Sequence, residues 1–147
     1  MIKAVVSWVV VADASQARVL ANDGPNHGLT MERQFAQEVK RSRDVLADRP
    51  GAVTDRMGYA KHATSPPDQV RVQKRRFAHQ IARTLEDARK QNEFERLYLI
   101  APPQMLRDLR AELSPELAKM VVGELNRDLT KIPLHDLAGH LGPLLPV

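Results

Sequence analysis

The residues best suited to chemistry in this sequence lie between positions 48 and 63. Two clusters there combine glycine with charged side chains: Asp-Arg-Pro-Gly at 48–51 and Asp-Arg-Met-Gly-Tyr-Ala-Lys-His-Ala at 55–63. Glycine lets the backbone approach a ligand, and successive N–H groups are able to hold an anion. His62 is suited to moving a proton near neutral pH, and Arg56 or Lys61 to holding a phosphate. Neither cluster matches a phosphate-binding glycine motif.

Positive charge is concentrated in the same part of the chain. Residues 40–76 carry ten basic and four acidic side chains, a net charge of +6, whereas the whole chain of 147 residues carries +4. A nucleic-acid surface and a solvated loop without a core both explain such a window. The candidate binding residues are Arg49, Gly51, Arg56, Gly58, Lys61, His62, Arg75 and Arg76. Tyr59 is the window's one aromatic residue, which argues against a platform of several stacking rings.

Asp13 is a second candidate, because it follows an apolar strand at the place where α/β sheets present ligands. A metal-dependent nuclease needs further carboxylates, which only Glu32 or Asp128 would supply if the sheet brought them there. The plainer interpretation, a cap on the following turn, is favoured. His135 and His140 are five residues apart, so they do not align as ligands on one helical face. With no cysteine in the chain, we predict neither a metal site nor a cofactor.

Apolar periodicity predicts the elements that position these residues. Strands are expected at 5–12, at 18–22 and from residue 29 to 35, where apolar and polar residues alternate. Residues 39–68 lack periodicity and are predicted to form a long basic loop. A helix at 69–91, a strand at 97–101 and a helix from 102 follow, with a short helical turn at 114–115 and a last helix from 130 to 141.

The segment 120–130 fits either a helix or a strand, and its pattern does not decide between them. With a strand there, the order is β-β-β-loop-α-β-α-β-α, which predicts a single α/β domain over 1–147. Its mixed sheet would have about five strands, with helices on both faces.

The amino-terminal apolar stretch imitates a short secretory signal, but its valines and Trp8 favour a buried strand. No apolar run approaches the ~20 residues needed to span a bilayer. Since nothing in the cysteine usage indicates an oxidising compartment, we expect a cytoplasmic protein.

Several segments, taken in order, resemble the bacterial host attachment protein family, which is described as required for attachment to host cells. They are Trp8 to Asp13, Ala17 to Leu20, Asp48 to Gly51, Lys61 to Ala63, Arg76 to Ala78, Leu97 to Pro103, Leu106 to Pro115 and Glu124 to Thr130. The resemblance covers nearly the whole chain. The resemblance indicates membership of the family. It says little about mechanism, because the family's name describes a phenotype.

That family is in turn similar to the central domain of archaeal and eukaryotic peptide-chain release factors, a fold related to ribosomal proteins and reminiscent of ribonuclease H. The similarity implies a strand within 120–130. Release factors act through a Gly-Gly-Gln loop, but this chain has no Gly-Gly pair, so hydrolysis of peptidyl-transfer RNA does not carry over. The family pattern commonly has arginine where this chain has Lys61, which keeps the charge and loses the bidentate fork.

The leading hypothesis is a non-enzymatic binding protein whose basic loop contacts RNA or a ribosome-associated partner, which implies binding that weakens steeply with salt. One alternative is a phosphoester hydrolase or nuclease that uses Asp13 and His62. A second alternative, suggested by the family's name, is an attachment factor at the cell surface.

Overall fold

The computed structural model describes residues 5–25, 27–37, 66–142 and 144. Along these residues the elements are β1 (Ser7–Ala12), β2 (Gln16–Asn22), β3 (Thr30–Ala36), α1 (Pro66–Lys90), β4 (Arg96–Ile100), α2 (Pro103–Glu112), α3 (Pro115–Ala118), β5 (Val121–Leu125) and α4 (Leu134–Leu141).

The five strands form one mixed sheet in the order β3-β2-β1-β4-β5. The first three strands make an antiparallel meander, in which β1 pairs with β2 and β2 with β3. On the other side, β4 lies parallel to β1, and β5 lies parallel to β4. The sheet therefore joins a local hairpin arrangement to two parallel crossovers that contain helices.

The central strand β1 is buried along its whole length, because helices cover both faces of the sheet. On one face, Trp8 and Val10 pack with residues of α1, α2 and α3. On the other face, Val9 and Val11 pack with residues of α4. A strand that is covered on both sides needs apolar residues at every position, which explains the run of valines in the sequence.

The long helix α1 covers the sheet with one apolar stripe. Its buried residues Phe77, Ile81 and Leu85 recur every four positions, and each is fully buried in the first core cluster. The helix ends at Lys90, and Asn92 follows in the left-handed backbone region with φ of 57°. Asparagine tolerates that conformation and is a common residue just after a helix.

The predicted fold class, an α/β domain with a mixed five-stranded sheet and helices on both faces, is confirmed. Residues 121–125 form strand β5, as the resemblance to release factors implied. The predicted loop at 39–68 was wrong at its end, because α1 begins at Pro66. Proline is tolerated in a first helical turn, so the Pro-Pro pair starts the helix instead of preceding it. The rest of that loop lies outside the described residues.

Among the helices that the structure describes, none combines the length and the apolarity required to cross a bilayer.

Leu99 and Val122 provide a test of this burial pattern. Leu99 in β4 is fully buried, whereas Val122 in β5 is 57% exposed. We expect Leu99→Ala to lower the free energy of unfolding by about 2–5 kcal/mol, because it leaves a cavity in the core. Val122→Ala should change it by less than about 0.5 kcal/mol. Urea denaturation followed by circular dichroism measures both, and equal shifts in the two variants would contradict the assigned core.

Candidate functional site

The carboxyl ends of the parallel strands meet at one edge of the sheet, which we call the carboxyl edge. The residues that follow these strands lie there: Asp13 after β1, Ala101 after β4 and Asn126 after β5. The chain leaves β1 toward β2 on one side and leaves β4 toward β5 on the other. In open α/β sheets, such a point of divergence is where ligands usually bind.

Asp13 closes the turn between β1 and β2. Its Oδ1 accepts hydrogen bonds from the backbone N–H of Ser15 at 2.7 Å and of Gln16 at 2.8 Å, and from the Ser15 hydroxyl at 3.1 Å. Its Oδ2 accepts a bond from the Thr130 hydroxyl at 2.8 Å. Asp13 therefore caps this turn, as the plainer interpretation predicted. Its carboxylate also holds Thr130, which is 117 positions away in the sequence.

Asp128 lies near Asp13, because the Thr130 hydroxyl contacts both carboxylates. The Thr130 hydroxyl lies 2.6 Å from Asp128 Oδ1, which also accepts the Thr130 backbone N–H at 3.1 Å. One hydroxyl carries one proton, so Thr130 donates to only one of its two carboxylate neighbours at a time. Glu32, the other acid considered from the sequence, lies on β3 beside Arg33 and makes no contact with Asp13.

Arg18 was not singled out by the sequence, although it lies at the same end of the sheet. It is only 8% exposed, and its Nη2 donates to the Leu129 carbonyl oxygen at 2.7 Å. Its Nε has no hydrogen-bond partner, and burial lowers the pKa of its guanidinium. A signal was present, because Arg18 is a charged residue directly between the apolar residues Ala17 and Val19 of a strand.

The first turns of α1 are fixed to this end of the molecule. Gln37, just after β3, donates from Nε2 to the carbonyl oxygens of Ala14 at 3.0 Å and Gln73 at 3.2 Å. Both guanidinium Nη atoms of Arg71 donate to the carboxylate of Asp108 in α2. That carboxylate is nearly buried, and its hydrogen bonds raise the pKa of Arg71. A bidentate pair of this kind fixes the rotation of α1 as well as its position.

A family model described as "Protein required for attachment to host cells" matches residues 8–141. The chain belongs to this family. No protein with a curated description matches it.

Two solved structures have folds similar to that of this host attachment family protein. An archaeal translation termination factor, aRF1, aligns with a TM-score of 0.50 and 8% identity over 84% of this chain. A structure described as an archaeal protein aligns with a TM-score of 0.50 and 9% identity over 95% of this chain. The host attachment family protein spans 30% and 33% of those two chains, respectively. At this identity, the likeness concerns the fold.

The predicted binding residues divide into two groups. Arg49, Gly51, Arg56, Gly58, Lys61 and His62 lie outside the described residues. Arg75 and Arg76 lie on α1, and both are exposed. Arg76 borders an open hollow of about 440 Å³ together with Gln69, Val72 and Gln73. Over the described residues, no three His, Asp or Glu side chains group as metal ligands.

Asp13 makes the stability of the host attachment family protein depend on pH. Burial alone would raise its pKa, but hydrogen bonds from Ser15, Thr130 and Gln16 outweigh this effect and hold the pKa below its ordinary value. The ionised carboxylate therefore contributes stability above about pH 4, and this contribution is lost as the pH falls through the lowered pKa.

We expect Asp13→Asn to lower the free energy of unfolding at pH 7 by about 1–3 kcal/mol, because an amide accepts these bonds more weakly. The difference from the wild type should shrink as the pH falls below about 4 and on through the lowered pKa of the Asp13 carboxyl. Urea denaturation across the pH range measures it. The exposed Asp87→Asn is the control and should follow the wild type. A difference between Asp13→Asn and the wild type that stays constant with pH would contradict the proposed role.

Asp108→Asn tests whether the Arg71 pair fixes the first turns of α1. We expect the free energy of unfolding to fall by about 1–3 kcal/mol, because the Arg71 guanidinium loses its charged acceptor. Amide hydrogen exchange should quicken over residues 68–76 and stay slow over 77–88, where the helix packs on the core. The control is Glu124→Gln, which breaks the exposed pair with Arg110 and should affect neither segment. Unchanged exchange over 68–76 in Asp108→Asn would show that the Arg71–Asp108 pair does not fix the first turns of α1.

Proposed function

We propose that this host attachment family protein is a non-enzymatic, cytoplasmic RNA-binding protein, and that its basic segment 40–76 contacts RNA phosphates. The observation that carries the proposal is the pair of exposed arginines Arg75 and Arg76 on α1. They belong to the segment with a net charge of +6, and the Arg71–Asp108 pair one turn away fixes the helix that presents them.

Electrostatics around the carboxyl edge supports this proposal. The nearby carboxylates are already engaged, since Asp13 accepts four hydrogen bonds and Asp108 binds Arg71. Arg75 and Arg76 form no ion pair with a carboxylate of the described residues. Both side chains are exposed, and clustered arginines attract polyphosphates such as RNA.

The likeness to a translation termination factor favours RNA over other anions as the partner, because that protein acts in translation. Attachment to host cells, the phenotype in the family description, would then be an indirect result of RNA binding inside the cell. Asp13 caps its turn with Oδ1 and accepts a hydrogen bond from Thr130 with Oδ2. Because both oxygens are engaged in structural contacts, this geometry favours a binding protein over the hydrolase alternative.

Fluorescence anisotropy with labelled fragments of ribosomal RNA tests the proposal. Binding should weaken steeply between about 50 and 200 mM salt, because each neutralised phosphate releases counterions. The variant Arg75→Ala with Arg76→Ala should bind roughly tenfold more weakly and lower the slope of log K against log salt by about 1.4–1.8. Arg56→Ala with Lys61→Ala should also weaken binding.

The matched control is Arg96→Ala with Lys119→Ala, two exposed cations at the opposite edge of the sheet. It removes the same charge and should bind like the wild type. The proposal fails if the protein binds no RNA, if binding does not depend on salt, or if the control variant loses as much affinity as the α1 variant.

A further inference from the structure

The solvent-facing side of α1 carries a row of three cations, of which only the first lies within the basic segment 40–76. Arg76, Arg83 and Lys90 are each exposed and are spaced seven residues apart. Seven residues are close to two helical turns, so the three side chains lie on one side of the helix. The buried stripe of Phe77, Ile81 and Leu85 lies on the opposite side. We call Arg76, Arg83 and Lys90 the cationic face.

Few acidic side chains offset this face. Asp87 is the acid that lies between its members, and it is exposed. Glu86 forms an ion pair with Arg89; a hydrogen bond from Ser114 and then the charges of Arg89 and Lys90 lower the Glu86 pKa, so Glu86 offsets part of the charge at the Lys90 end. His79 contacts Glu112 of α2. Three cations against the two acids Asp87 and Glu86 leave the cationic face with a net positive charge.

The spacing of these charges is fixed by the helix. Neighbouring cations are separated by about 10 Å along the axis, and the full row extends over about 21 Å. The helix is held by its buried stripe and, near its start, by the Arg71–Asp108 pair. A rigid row of charges suits a polymer whose phosphates are also held at fixed positions.

The described surface lacks the rings that single-stranded RNA usually requires. Trp8, Phe77, Phe94 and Tyr98 are each at most 4% exposed, and Phe35 is partly buried against the core. Proteins that bind single strands generally stack bases on aromatic side chains, whereas double-stranded RNA is recognised by its shape and its backbone.

We infer that the cationic face binds the phosphate backbone of double-stranded RNA without reading its bases. This inference rests on the proposed function and specifies the form of RNA. Arg76 joins the face to the basic segment, while Arg83 and Lys90 extend the contact along α1. A helical stem would lie along the outer side of the helix, away from the sheet.

The test compares a 20-base-pair RNA duplex with a single strand of the same length by fluorescence anisotropy. The wild-type protein should bind the duplex at least about fivefold more tightly. Arg83→Gln with Lys90→Gln should weaken duplex binding roughly tenfold and lower the salt slope by about 1.8, at about 0.9 for each lost phosphate contact. Its binding to the single strand should change little.

Arg127→Gln with Lys131→Gln is the matched control, since it removes one exposed arginine and one exposed lysine from the segment between β5 and α4, on the face of the sheet that α1 does not cover. It should bind the duplex like the wild type, and thermal unfolding should show that both variants are folded. Equal affinity for the two RNA forms, or unchanged duplex binding in Arg83→Gln with Lys90→Gln, would overturn the inference. If only the single strand binds, the inference fails and the proposed function stands. If neither RNA binds, both fail.

Discussion

The fold depends on the complete burial of one strand. Every side chain of β1 is buried, and its backbone pairs with β2 on one side and β4 on the other. Such a strand is stable only if both faces are covered, so α1 and α2 must pack on one side and α4 on the other. The helices belong to crossovers between parallel strands, which bring the ends of β1, β4 and β5 to the same edge. The position of Asp13 at that edge follows from this constraint.

At the carboxyl edge, polar side-chain contacts add to the apolar packing of the core. The segment between β5 and α4 pairs with no strand of the described residues, and two side chains from the first hairpin hold it. Arg18 binds the Leu129 carbonyl oxygen, and Asp13 binds the Thr130 hydroxyl. Asp108 has a similar task on the other face, where it binds Arg71 of α1. In each case, a buried or half-buried charge is given a specific partner, as burial of a polar group requires.

The sequence predicted the order of strands and helices because burial on one or both faces leaves a periodic pattern. Alternation in β3 and the four-residue repeat of Phe77, Ile81 and Leu85 were sufficient. The start of α1 was misplaced, since the Pro-Pro pair at 66–67 reads equally well as the end of a loop. Asp13 was assigned correctly to its turn, but its contact with Thr130 was not foreseen. Contacts between residues more than 100 positions apart depend on the geometry of the sheet, which a local pattern does not contain.

The same distant contacts determine when this end of the molecule is completed during folding. Arg18 and Leu129 are separated by 111 residues, and Asp13 and Thr130 by 117. Pairings at such separation form late, because the intervening chain must first be ordered. On the ribosome, the hairpin of β1 and β2 emerges early, yet its buried arginine receives its acceptor only after β5 has been synthesised. Until then, the hairpin exposes an apolar face and an unsatisfied charge, the features of a nascent chain that chaperones protect.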